Sequence, residues 1–119
     1  IKSIKKIKTN YSNYYIIDIY LKGKPKITMN SYLDTGNILK DPYKRRPIIL
    51  IDKHKINYQN EKIIFVPYNT IDSHGILECF SPEKIYINKV GERKNILIGL
   101  IDEVGIEGAE CILNRNIIE

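Results

Sequence analysis

The sequence predicts an all-β domain. Isoleucine and tyrosine are abundant in the 119 residues, and branched and aromatic side chains favour strands. Short apolar runs alternate with turn-forming residues at regular intervals, which is typical of closed or sandwiched sheets. No long helical period is present, although Asn114–Glu119 could start a short helix. The length predicts a single domain over residues 1–119.

The first elements form a predicted hairpin. Tyr14–Leu21 is interpreted as a strand, Lys22–Pro25 as a turn, and Lys26–Leu33 as the partner strand. This hairpin delivers the segment that begins at Asp34. The basic stretch Ile1–Lys8 before it has isoleucines spaced for a short helix or a frayed edge strand.

After the segment that begins at Asp34, the polar segment Asp41–Pro47 separates the first hairpin from the remaining predicted strands. Turn chemistry in Asn69–Gly75 lies between two apolar runs, so this segment predicts a loop between two strands. Gly105 and Gly108 mark later loops. The strands predicted after this polar segment are Ile48–Ile51, Ile63–Tyr68, Ile76–Phe80, Glu83–Val90, Ile96–Ile101 and Cys111–Leu113.

Charge and hydropathy limit the function classes. The net charge is +5, and lysines crowd the first quarter; such a bias usually marks a solvated face. No aromatic-glycine signature of an RNA-binding sheet accompanies it, so we expect no nucleic-acid partner. No apolar run reaches membrane-spanning length, and no secretory signal is visible. The abrupt basic start without methionine predicts a fragment of a longer protein.

Cysteine and histidine chemistry receives little support. Cys79 and Cys111 form no CxxC pair, and free thiols in a reducing cytoplasm are the simplest interpretation. A cysteine protease would pair one of them with His54 or His74, but no nucleophile signature surrounds either thiol. The scattered positions offer no metal-ligand spacing. We therefore expect neither a metal nor another cofactor.

The triplet Asp34-Thr35-Gly36 is the strongest chemical signal. It follows an apolar strand, and a sharp turn there would present the Asp34 carboxylate at the mouth of the fold. A strand that simply ends in a turn has the same residues. Aspartic protease chemistry needs two carboxylates facing one water, and the triplet occurs once. The second carboxylate would then come from another copy of the chain.

A longer block makes the signal more specific. Leu33–Asn37 with Leu39, Asp41-Pro42, Pro47 and the apolar Ile48–Ile51 resembles the sporulation sigma-E factor-processing peptidases. The resemblance runs from about Asp18 to the C-terminus, and its other matching residues are Val66-Pro67-Tyr68, Ser73-His74-Gly75, Phe80, Pro82 and Lys84.

The resemblance implies a closed, β-barrel-like aspartic protease domain of retropepsin type, with at most a short C-terminal helix. It implies a homodimer with one catalytic Asp34 per chain, supported by Thr35, Gly36 and Asn37. The implied substrate is a precursor sigma factor, and the implied activator is a signalling protein. The parent protein would be anchored by an N-terminal membrane region at the cytoplasmic face of the sporulation septum.

Two further segments receive roles by comparison with retroviral proteases. Leu97-Ile98-Gly99 is similar in type and order to the apolar-apolar-Gly element that packs behind their catalytic loop. The candidate flap over the substrate comprises Thr70, Ile71, Asp72, Ser73, His74 and Gly75. The alternative function, which the sequence leaves open, is a non-catalytic protease-like β domain that dimerises or binds a partner protein.

Overall fold

The computed structural model describes residues 13–69, 72 and 74–118. A 3-10 turn, Lys53–Lys55, follows the third strand. The predicted all-β class with a short C-terminal helix is confirmed, while the basic stretch Ile1–Lys8 lies outside the described residues. The elements are β1 Tyr14–Tyr20, β2 Ile27–Leu33, β3 Ile48–Asp52, β4 Ile64–Asn69, β5 His74–Phe80, β6 Lys84–Ile87, β7 Gly91–Arg93, β8 Leu97–Ile101, β9 Cys111–Leu113 and α1 Arg115–Ile118.

The nine strands of the described residues belong to one sheet, in the order β4-β5-β8-β3-β9-β2-β1-β6-β7. β1 and β2 form the predicted antiparallel hairpin, from Tyr14↔Tyr32 to Ile19↔Ile27. Its turn contains Gly23 at φ 74°, a backbone conformation that glycine adopts without strain. The strand order ends at β4 and β7, so hydrogen bonds do not close the described sheet, and it resembles a barrel only loosely.

One face of the sheet carries the main core. Ile17, Ile49, Ile87, Ile98 and Leu113 come from five different strands, and each is 0% exposed. Besides the sheet, the described residues offer only loops, the 3-10 turn and a four-residue helix to cover this face. The sheet therefore has to curve over its own apolar side to exclude water. No described helix is long and apolar enough to cross a membrane.

The predicted strand over Glu83–Val90 is wrong in its extent. β6 ends at Ile87, and the next strand, β7, begins at Gly91, beyond the predicted strand; the two pair antiparallel through Ile87↔Gly91. Lys89 has φ 70° and Gly91 has φ 117°, so the chain reverses between the two strands. A lysine in the left-handed region is uncommon. Because nothing in the sequence indicates this conformation, the apolar residues around Lys89 predicted one continuous strand.

Candidate active site

Asp34 directly follows the last residue of β2. The parallel pairing of β2 with β9 reaches Leu33↔Leu113, so the ends of both strands lie side by side. The side chain of Asp34 is exposed, and its Oδ1 accepts a hydrogen bond from the Gly36 N–H at 2.9 Å. The Asn37 N–H donates to the Asp34 carbonyl at 2.9 Å, which closes a tight turn. The structure thus displays the carboxylate at a strand end.

A glycine at position 36 is favoured because a side chain would crowd Asp34, not because the backbone requires one. It is not among the glycines with positive φ. A Cβ at this position would lie 3.2 Å from Asp34 Oδ1, which is closer than most Cβ contacts. The glycine therefore leaves room for the carboxylate beside the turn. Thr35 is exposed next to it.

The buried side chain of Asn37 fixes the loop that carries Asp34. Its side chain is buried at 6% exposure, and Nδ2 donates to the carbonyls of Ile48 and Leu113, both at 3.2 Å. Its Oδ1 accepts from the Leu39 N–H at 3.3 Å. One amide therefore ties the loop that carries Asp34 to the first residue of β3 and the last residue of β9.

Asn114 makes a second buried connection, which the sequence analysis missed. It is 0% exposed, and Nδ2 donates to the carbonyls of Leu39 at 2.8 Å and Ile48 at 3.1 Å. Its Oδ1 accepts from the Asn116 N–H at 2.9 Å, which caps α1. An asparagine directly before a short helix was the available signal. The Arg115 N–H adds a bond to the Asn37 carbonyl at 3.0 Å.

Leu97, Ile98 and Gly99 lie in β8 between β5 and β3. Leu97 belongs to a second apolar cluster, against which Leu39 packs. The hydrogen bonds of the loop instead join it to Ile48 of β3 and to residues 113–115. Direct packing of this segment behind the catalytic loop stays a prediction.

The candidate flap is the end of the β4–β5 hairpin. His74 and Gly75 are strand residues, paired with Asn69 and Tyr68. Asp72 is exposed in the turn, and the other three candidates, Thr70, Ile71 and Ser73, lie outside the described residues. A Cβ on Gly75 would lie 2.9 Å from the Tyr68 hydroxyl, so the missing side chain lets this ring cross the hairpin. The flap role of this segment stays a prediction.

The thiols lack the environment of a nucleophile. Cys79 and Cys111 are buried and form no disulfide. Burial raises the pKa of Cys79 to about 12 and also raises the pKa of Cys111. A reactive cysteine needs the opposite shift. His54 and His74 are exposed, and no cluster of potential metal ligands occurs in the described part of the chain.

Asp41 organises the loop that follows the site. Its carboxylate is 0% exposed, and it accepts from the N–H groups of Tyr43 and Lys44, both at 2.8 Å. Arg46 donates to it from Nε at 2.8 Å and from its backbone N–H at 2.9 Å. Burial alone would raise the pKa of Asp41, but the hydrogen bonds outweigh it and lower the pKa to about 2.

We expect Asp41→Asn to destabilise the domain by about 2 kcal/mol at pH 7. Because the folded pKa lies below the ordinary 3.8, this stabilisation is complete above about pH 5 and disappears as the pH falls through about 2. Urea unfolding at several pH values measures it. The difference in unfolding free energy between Asp41→Asn and wild type should decrease as the pH falls. Asp102→Asn, at an 86% exposed side chain, is the control. A gap that does not change with pH would contradict the assignment.

Two comparisons relate the chain to known proteins. The family model described as "Sporulation factor SpoIIGA" (Peptidase U4) matches residues 1–62. A relative from Clostridium acetobutylicum, described as a probable sporulation sigma-E factor-processing peptidase, is 35% identical over 101 residues. That match covers 80% of this chain and 38% of the relative, so the chain spans well under half of the relative's length.

Proposed function

The chain belongs to the sporulation factor SpoIIGA family of peptidases, and from this membership we propose that it is an aspartic endopeptidase domain that cleaves a precursor sigma factor. The observation that carries the proposal is the position of Asp34. Its carboxylate is exposed at a strand end, while the two buried amides of Asn37 and Asn114 fix the backbone beneath it. Acid–base catalysis needs a carboxylate that is both accessible and fixed.

The proposed mechanism uses two copies of Asp34. Two facing carboxylates cannot both ionise cheaply, so they share one proton. The ionised member takes a proton from the attacking water, and the protonated member polarises the scissile carbonyl. The pair titrates as a unit. Thr35 would join the two loops across the two-fold axis, in an isologous contact.

For the whole protein we further propose the remaining roles that the family resemblance implies. An N-terminal membrane region would anchor it at the cytoplasmic face of the sporulation septum, and a signalling protein would activate it. Membrane anchoring would raise the effective concentration of the domain and favour its pairing. The Asp-Thr-Gly triplet occurs once in the sequence, so a second copy of the chain would supply the second carboxylate.

Mixing inactive and active chains tests the shared site. Increasing amounts of an Asp34→Asn chain are added to a constant amount of wild type, and precursor cleavage is measured. At equal amounts, random pairing leaves about one quarter of the pairs fully wild type. The activity of the wild-type chains should therefore fall by about half. Asp102→Asn chains are the control. Undiminished cleavage under excess Asp34→Asn would contradict a two-chain site.

A further inference from the structure

The loop after the site contacts the flap hairpin through one hydroxyl. Tyr43 Oη donates to the carbonyl of Phe65, in β4, at 2.9 Å. The backbone of Tyr43 is itself fixed, because its N–H donates to the buried carboxylate of Asp41. The phenol therefore extends from a rigid base. We call the pair Tyr43 Oη and Phe65 O the Tyr43 clasp.

The clasp lies on β4, the strand at one end of the described sheet. In a strand, the N–H and C=O of one residue point to the same side, and successive residues alternate. Because the Phe65 carbonyl bonds to Tyr43, Phe65 faces away from β5, and so does Pro67 two residues later. Proline has no N–H to offer at an edge. A tyrosine and a proline thus protect the edge of β4 against foreign strands.

The clasp also lies at the base of the hairpin. Phe65 pairs with Glu78, and Glu78 pairs with Leu100 in β8. The pairing of β5 with β8 covers only Glu78–Phe80, so the clasp and the end of this pairing fall on the same cross-strand rung. Beyond that rung, the described hairpin is secured by its own ladder and by the packing of the buried Val66 and Leu77.

We propose that Tyr43 is a positioning residue that fixes the base of the β4–β5 hairpin relative to the loop carrying Asp34. Hydrogen bonds connect the two loops. The Leu39 N–H donates to Asn37 Oδ1, and the Leu39 carbonyl accepts from the Ile48 N–H. Two residues after Leu39, the Asp41 carboxylate accepts from the Tyr43 N–H and so positions Tyr43. The inference rests on the proposed function, because it assigns the hairpin a role in holding substrate. Fixing the base of the hairpin reduces the conformational entropy that it loses when a peptide binds against it.

Tyr43→Phe removes only the hydroxyl, and Tyr86→Phe, at a 48% exposed tyrosine in β6, is the matched control. Hydrogen exchange is followed at the amides of Val66 and Tyr68, whose N–H groups point to β5 by the alternation above. We expect Tyr43→Phe to speed both by about five-fold, the effect of one net hydrogen bond. Exchange in the β3–β8 ladder should not change. For precursor cleavage we expect KM to rise about five-fold, with kcat within about two-fold of wild type.

Each outcome decides the proposal. Faster exchange together with a raised KM supports it. Unchanged exchange at Val66 and Tyr68 overturns it, whatever the activity. Faster exchange with an unchanged KM also overturns it, because the hairpin base would then have no part in binding. If the wild type cleaves no precursor, the proposed function fails, and the exchange result still decides whether the clasp secures the hairpin.

Discussion

Asp34→Asn is expected to lower kcat/KM for precursor cleavage by at least about 1,000-fold. The amide cannot accept the proton of the attacking water, and in a two-fold pair both catalytic groups are lost together. The fold should survive, because the side chain is exposed and an asparagine oxygen still accepts the hydrogen bond from the Gly36 N–H. The loss would therefore be chemical rather than structural.

The measurement compares cleavage rates with stability on the same samples. Circular dichroism and urea unfolding should give wild-type values for Asp34→Asn, since surface substitutions rarely change stability by more than about 0.5 kcal/mol. Asp102→Asn removes the same charge at an exposed ion pair with Lys53 and should cleave normally. Residual activity within ten-fold of wild type, on a folded sample, would refute Asp34 as the catalytic acid.

The strands were predictable where a local signal defines them. Apolar runs bounded by turn residues located β1, β2, β3 and β8 to within a residue at each end. The turn at Lys89 was hidden because a lysine at φ 70° has no characteristic sequence signal. The order of strands in the sheet is a different matter. The parallel pairing of Leu33 with Leu113 joins residues far apart in sequence, which local patterns do not reveal.

The candidate site was predictable in its exposed half only. The block around Asp34 is continuous, and the chemistry of a carboxylate at a turn can be inferred from its residues. The buried part depends on hydrogen bonds between residues that lie far apart in the sequence. Asn37 reaches the Leu113 carbonyl across 76 positions, and Asn114 reaches Ile48 across 66. The same limit applies to Tyr43 and Phe65, which only the folded loop brings together.

Asn114→Asp should produce the largest loss of stability, about 4 kcal/mol at pH 7. The substitution keeps the shape of the side chain and the oxygen that caps α1. It replaces the Nδ2 donor by an oxygen that faces the carbonyls of Leu39 and Ile48 at a fully buried position. A buried carboxylate against two acceptors is strongly disfavoured. Cleavage should fall as well, because Leu39 belongs to the loop that carries Asp34.

The pH dependence separates this mechanism from a packing defect. Burial against acceptors raises the folded pKa of the new carboxyl above its unfolded value of about 3.9. Below about pH 4 the group is protonated in both states and can donate to one carbonyl, so the deficit should shrink to about 1 kcal/mol. It should grow as the pH rises. Asn88→Asp is the control, because there the amide oxygen accepts from the Ile16 N–H and a carboxylate can replace it. An equal deficit at pH 3.5 and pH 7 in urea unfolding would show that the two donor bonds of Asn114 do not fix the loop.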